Sequence, residues 1–310
     1  MRIIENTAKF HIGEPTAVAI GKFDGFHMGH QKLLRQLLAQ KDRGLKAAVF
    51  TFVPSPSAYF SKKAVKELST SAEKRRIFER AGVDYLIEFP FVQEIADMEP
   101  EAFIRDVLLE RLDARCVVAG EDVSFGRHGA GGCELLREKA RECGFDVIII
   151  DKVLYGGREV SSTYVREAVN EGRMELAAAL LGAPYSVGGE IVHGKRLGRT
   201  LGMPTVNIRP PEEKLLPPNG VYYSYTYLNG SSERLFSITN IGTKPTVNDR
   251  QQMGVETYLY DFDADVYGMP MEVSLLARKR PEMRFAGVEE LKAQMQEDLA
   301  AGRSYHQIFG

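Results

Sequence analysis

Residues 16–40, TAVAIGKFDGFHMGHQKLLRQLLAQ, carry an apolar run into a glycine-punctuated segment and then into a helical pattern. TAVAI reads as a buried strand, and HQKLLRQLLAQ repeats its leucines at helical spacing, predicting a helix over 30–43. The same order recurs up to about residue 182: AAVFTF precedes a helix over 71–81, VDYLIEF one over 100–112, RCVVAG one over 133–142, and FDVIII comes last. Strands alternating with helical crossovers predict an open parallel α/β sheet, whose ligands bind beyond the carboxyl ends of its strands. The segment 21–30, GKFDGFHMGH, follows the first apolar strand and sits at such an end.

Three readings fit that segment. A metal would need more ligands than His27, His30 and the nearby Asp24, and the H-E-x-x-H context is missing. A glycine turn with satisfied histidines would need no ligand at all. A phosphate site uses more of what is there: Gly21, Gly25 and Gly29 permit close backbone approach, and His30 stands at a helix N-terminus that favours anions.

The rest of the sequence sets bounds. A chain of 310 residues exceeds one ordinary domain, and a prior of roughly 150 residues per domain suggests two. The net charge of −2 gives no global basic footprint for nucleic acid. The basic runs EKRRIFER and ARKRPEMR alternate with acids, as solvated faces do. Cys116, Cys133 and Cys143 lack C-x-x-C spacing and suit a reducing compartment. No stretch reaches the ~18 apolar residues of a membrane span. These features predict a cytoplasmic protein without membrane or nucleic-acid partners, monomeric or weakly self-associating.

After STYVREAVNEG and MELAAALLG, the stretch APYSVGG breaks the helical pattern, which places a domain boundary at 182/183. From there strands dominate: YYSYTYL joined through Asn229-Gly230 to RLFSITNI is a hairpin signal, and VETYLYDF and MEVSLLA follow. Five or six strands without intervening helices predict a small antiparallel barrel. A C-terminal helix with Val288, Leu291, Met295 and Leu299 on one stripe is expected to pack on it. Gly189 to Lys195 match G-x-x-x-x-G-K, but Arg196 stands where a P-loop needs Ser or Thr and EIVH reads as a strand, so no such loop is expected.

GKFDGFHMGH resembles the H-x-G-H nucleotidylyltransferase superfamily, and in particular the bacterial bifunctional riboflavin kinase/FAD synthetase family. TFVPSP (51–56), AGEDVSFG (119–126) and VSSTYVREAVNEG (160–172) are similar to further motifs of that family, in the same order. The resemblance implies a Rossmann-like nucleotidylyltransferase domain over 1–182. It also implies nucleotide contacts from Gly21, Phe23, Asp24, Gly25, Gly29, Asp122, Ser161, Ser162, Thr163 and Arg166, with His27 and His30 in catalysis. Read without the resemblance, SSTYVR is a helix N-cap cluster.

GRTLGMPTVN is similar to the riboflavin kinase signature, and LPPNGVYY, NIGTKPTV, GVETYLYDFDADVYG and RPEMRF continue the likeness. It implies a kinase domain over 183–310, with Gly194, Lys195, Gly198, Arg199 and Gly202 at ATP phosphates. Thr205 and Asn207 would hold Mg²⁺, Glu256 would serve as base, and Arg280, Glu282 and Phe285 would contact the flavin. The implied activity is phosphorylation of riboflavin to FMN, then adenylylation of FMN to FAD, each with ATP. Three residues depart from the family pattern: Ser55 for a His, Val123 for a Phe, and Val206 for an Ala. The first two leave open a kinase with an inactive front half. A flavin-binding sensor or carrier, or a nucleotidylyltransferase for another small molecule, would each account for part of the pattern.

Overall fold

The computed structural model describes residues 1–61, 66–194, 200–245 and 251–309. The chain divides into two compact units, Met1–Ser162 and Thr163–Gly310.

The first unit is built on a six-stranded sheet in the order β1-β4-β3-β2-β5-β6. Its strands are β1 (Arg2–Glu5), β2 (Thr16–Ile20), β3 (Lys46–Val53), β4 (Tyr85–Pro90), β5 (Ala114–Gly120) and β6 (Asp146–Ile150), and a separate antiparallel ribbon pairs β7 (Leu154–Tyr155) with β8 (Arg158–Glu159). Every neighbouring pair of the six-stranded sheet is parallel. The helices between them are α1 (Met28–Ala39), α2 (Pro56–Ser61), α3 (Ser71–Ala81), the short α4 (Gln93–Ala96) and α5 (Pro100–Ala102), and α6 (Cys133–Cys143). Residues Phe103–Arg111 continue α5 in π-helical geometry.

Because β2 is buried throughout, its residues alternate between two cores. Val18 and Ile20 pack with Phe50, Ile87, Phe103, Val107 and Leu136 on one face. Ala17 and Ala19 pack with Leu33, Leu34 and Leu37 of α1 and Phe78 of α3 on the other. The chain steps from β2 to β3 to β4 and then returns to add β5 on the far side of β2. The carboxyl ends of β2 and β5 therefore flank a topological switch point, where an open sheet leaves its crevice. The edge strand β1, seated on β4, was hidden in the short, mixed run RIIE.

The second unit starts with α7 (Ser162–Asn170), whose first residue closes the first unit, and α8 (Met174–Leu181). A closed barrel follows in the order β10-β13-β12-β11-β14-β9. Its strands are β9 (Tyr185–Val192), β10 (Val206–Ile208), β11 (Gly220–Leu228), β12 (Leu235–Pro245), β13 (Gln251–Leu259) and β14 (Pro270–Pro281). Asn229 and Gly230, with left-handed φ of 48° and 72°, make a tight turn closed by the Ser231 amide on the Leu228 carbonyl, within a longer connection over 229–234 between β11 and β12. Residues 189–192, the first part of the G-x-x-x-x-G-K match, lie in β9, as the strand reading of EIVH expects.

Inside the barrel Ser224, Thr226, Ser237, Thr239 and Thr257 have no exposed surface. They bond one another across β11, β12 and β13 at 2.8–3.0 Å, which offsets the cost of burying five hydroxyls. The C-terminal helix α9 (Val288–Phe309) lies on the outer face, where Leu299 packs against Val221, Ile238 and Tyr260. Its buried positions are Asp298, Gly302 and His306, whereas Val288 is 54% exposed. The expected apolar stripe is thus replaced over the last turns by a polar seam. Asp298 bonds Lys279 and Arg280 at 2.7 and 2.5 Å, and His306 Nε2 meets the Ser237 carbonyl at 3.0 Å. Gly302 admits the hydroxyl of Tyr260, since a methyl there would stand 2.1 Å from it. No helix among the described residues is long and apolar enough to cross a membrane.

Candidate active sites

The loop 21–27 leaves the carboxyl end of β2 and enters α1 with His27 as its N-cap residue. Phe23, Gly25 and Phe26 all have positive φ, 51°, 83° and 43°. Asp24 fixes this strained path: it is 1% exposed, and its Oδ1 accepts from the amides of Leu68 and Ser69 at 2.8 and 3.1 Å. The Ser162 hydroxyl, at the start of α7, donates to the Asp24 carbonyl at 2.7 Å. That serine therefore clamps the histidine loop, a role that its sequence as a cap cluster did not suggest.

His27 and His30 stack with ring centroids 3.8 Å apart and 23° between planes, and Phe23 packs on His30 at 5.2 Å. Gly29 is required by this arrangement, because a Cβ there would sit 3.1 Å from His27 Cε1. Gly21 and Gly25 likewise make room for Phe23 and Leu68, with Cβ distances of 3.0 and 2.8 Å. The Nδ1 atoms of both rings are shielded from solvent with no hydrogen-bond partner among the described residues. Burial lowers His27 to a pKa of about 4, against the pull of Asp122 and Asp24. Burial, reinforced by His27 and Lys74, drives His30 well below the usual imidazole range. Both rings are neutral at pH 7, so each has one N–H donor and one bare nitrogen.

Asp122 lies in the turn after β5, the other strand of the switch point, and its charge reaches His27. Val123 packs into the sheet core. Ser55 bonds Ser57 at 3.2 Å, and Lys22 reaches Ser57 at 3.4 Å, so small hydroxyls occupy the start of α2. Thr163 and Arg166 continue α7 in the second unit. Residues missed in the sequence are those of an aromatic shelf at the carboxyl ends of β3 and β4. Phe60, 65% exposed, meets Tyr59 and Phe91 at 5.3 and 5.8 Å. A scattered aromatic per segment gave no signal until the sheet brought them together.

In the barrel, the Thr205 hydroxyl donates to Glu256 Oε1 at 2.5 Å. Cross-strand register sets Asn207 of β10 and Asn240 of β12 on either side of Glu256 in β13. Asn207 is buried and turns its amide nitrogen to Gly194, where a Cβ would lie 2.5 Å from Nδ2 and 3.3 Å from Oδ1. Beside Thr205 opens a cavity of about 300 Å³ lined by residues that include Pro204, Val206, Leu259, Phe262 and Tyr267. Gly202 has φ of 75° and open space around it. Lys195, Gly198 and Arg199 lie outside the described residues.

Arg280 is bound to Asp298 through Nε and Nη2, and Nη1 donates to the Pro281 carbonyl at 3.0 Å. Burial alone would raise the Asp298 carboxyl, but the bonds from Arg280 and Lys279 hold it below the ordinary range. Glu282 accepts from Asn219 at 2.9 Å, and Phe285 is half-buried nearby in sequence. The structure thus gathers Asp24, His27, Gly29, His30, Asp122 and Ser162 at one site and Thr205, Asn207 and Glu256 at another.

The FAD synthetase family matches residues 9–164 and the riboflavin kinase family residues 181–306. A bifunctional riboflavin kinase/FMN adenylyltransferase of Listeria monocytogenes is 38% identical over 93% of this chain and 91% of its own length. The Escherichia coli K12 protein of the same description is 37% identical, over 94% and 93%. A solved structure from Streptococcus pneumoniae, described as a macrolide-efflux protein, shares the fold with a TM-score of 0.82 at 28% identity, over 97% of this chain and 98% of that one. Two consecutive family matches and near full-length likeness to these relatives show that the chain belongs to the bifunctional riboflavin kinase/FMN adenylyltransferase family.

Proposed function

We propose that the chain makes FMN from riboflavin and ATP with residues 183–310, and FAD from FMN and a second ATP with residues 1–182. The observation that carries this reading is the contrast between the two sites. One offers neutral imidazole donors at a helix start; the other offers a carboxylate oriented by a hydroxyl.

At the barrel site the terminal ribityl hydroxyl is a poor nucleophile until a base takes its proton. Thr205 orients Glu256 through Oε1, and the Glu256 carboxylate accepts that proton as oxygen attacks the γ-phosphorus and ADP leaves. Thr205 and Asn207 are hard oxygen donors of the kind Mg²⁺ takes, and Asn207 has its nitrogen end turned away toward Gly194. These two residues would hold the ion, which when bound spreads the charge of the transferring phosphate. The cavity beside Thr205 suits the adenine of ATP, with apolar walls from Leu259, Phe262 and Tyr267.

At the sheet site the nucleophile is the FMN phosphate, already ionised, so no base is needed. What remains is to hold two anions together and to stabilise charge on departing pyrophosphate. The ring N–H groups of His27 and His30 and the amides at the start of α1 are donors for that task. Phe60, Tyr59 and Phe91 form a surface on which a flavin ring can lie. Phe60→Ala is expected to raise KM for FMN several-fold and to leave KM for riboflavin unchanged.

We place the enzyme in the cytoplasm, where its three free cysteines stay reduced, acting on small molecules as a monomer or weak homo-oligomer. One incubation with riboflavin, ATP and Mg²⁺, with products separated over time, tests the reading. FMN appearing first and FAD second is the expected course. FMN without FAD, also when FMN is supplied, would leave only the kinase.

A further inference from the structure

Glu256 is flanked in the barrel by two asparagines that differ in how they are used. Opposed residues of an antiparallel ladder project from one face with Cβ atoms about 5 Å apart. Asn207, Glu256 and Asn240 therefore form a row across β10, β13 and β12, which continues through Val221 of β11 to Arg280 of β14. Asn207 is buried against Gly194, and Arg280 is held by Asp298. Asn219, close to the same end of the barrel, spends its amide on Thr243 and Glu282 at 3.2 and 2.9 Å. The half-buried carboxamide of Asn240 forms no hydrogen bond among the described residues.

The next row on that face carries no side chains, because Gly242 is paired with Gly254. This bare strip begins beside Glu256 and Asn240. It is bounded by Glu282, whose Oε1 lies 2.8 Å from the place of a Gly242 Cβ. The Glu256 carboxylate and the uncommitted Asn240 amide thus stand next to each other at the edge of a strip floored by backbone, with the Asn240 amide nitrogen 3.4 Å from the place of a Gly242 Cβ.

We propose that Asn240 is a substrate-orienting residue of the phosphoryl-transfer site, its carboxamide bonding the hydroxyls of the flavin's polyol chain adjacent to the one that Glu256 deprotonates. The assignment rests on the reading of Glu256 as base. An amide offers a donor and an acceptor side by side, which matches a chain of hydroxyls that each give and receive. The bond fixes the terminal hydroxyl against the Glu256 carboxylate and selects a polyol over an apolar side chain of equal length, because an amide left unpaired next to bound substrate is costly.

The test combines Asn240→Ala and Asn240→Ser with riboflavin and with flavins lacking one ribityl hydroxyl each. Asn240→Ala should lower kcat/KM for riboflavin roughly tenfold or more, leave KM for ATP within about twofold, and leave adenylylation of supplied FMN unchanged. Asn240→Ser, which keeps a hydroxyl, should fall between the two. The wild-type enzyme should discriminate against at least one mono-deoxy flavin, and Asn240→Ala should lose that discrimination. An active wild-type enzyme with Asn240→Ala unimpaired on riboflavin, or equally selective among the deoxy flavins, overturns the assignment alone. A wild-type chain that makes no FMN overturns the Glu256 reading along with it.

Discussion

The stacked imidazoles of His27 and His30 are the residues in which packing most directly sets chemistry. His27 is buried and His30 partly so, and burial holds His27 neutral down to about pH 4. An unfolded chain protonates the same ring near its ordinary value of about 6.5. Between these values the unfolded state binds more protons, so stability falls as the pH drops from about 6.5 toward 4. The unfolding midpoint of the front unit should decline across that window, and His27→Gln should flatten the slope; an equal slope in both proteins would show that the ring is not kept neutral. Gly29 belongs to the same account. Gly29→Ala places a methyl 3.1 Å from His27 Cε1 and should tilt the ring out of the stack. FAD formation is then expected to fall ten- to a hundredfold while FMN formation is kept, as product analysis of the variant will show.

Elements explain which parts were legible in sequence. The strands β2 to β6 and the helices α1, α3 and α6 announced themselves because each is a largely apolar run or a helical stripe followed by glycine, whereas the short α2 and α4 carried no such signal. Two readings of the helices needed tertiary information. The turn 103–111 takes π geometry, to which side-chain periodicity is blind. The C-terminal helix is seated by Asp298, Gly302 and His306, a polar residue, a glycine and a histidine that no apolar pattern would select. The site followed the same rule. Its histidines, Thr205 and Glu256 stood in motifs, whereas the anchoring of Asp24 by the Leu68 and Ser69 amides and the shelf around Phe60 join segments far apart in the chain. The helix seat can be tested by itself. Gly302→Ala brings a methyl to 2.1 Å from the Tyr260 hydroxyl, and such overpacking costs about 1–3 kcal/mol. Denaturant unfolding followed by tyrosine fluorescence should register that loss; unchanged stability would mean the helix is not seated on Tyr260.

For the whole molecule, two compact units carry two unlike solutions to phosphorus chemistry. On the proposed reading, one activates a neutral hydroxyl through Glu256. The other accepts a ready anion and relies on donors alone, so the sheet's switch point and the start of α1 supply what a base would not improve.

The most direct measurement mixes two variants. His30→Ala with riboflavin and ATP should stop at FMN, with FAD formation reduced about 10²- to 10³-fold. Glu256→Gln should make no FMN yet adenylylate FMN that is supplied. Combined in one tube with riboflavin, ATP and Mg²⁺, the pair should produce FAD. Folded variants that each lose both activities, or a mixture that accumulates FMN and never forms FAD, would contradict two separate sites.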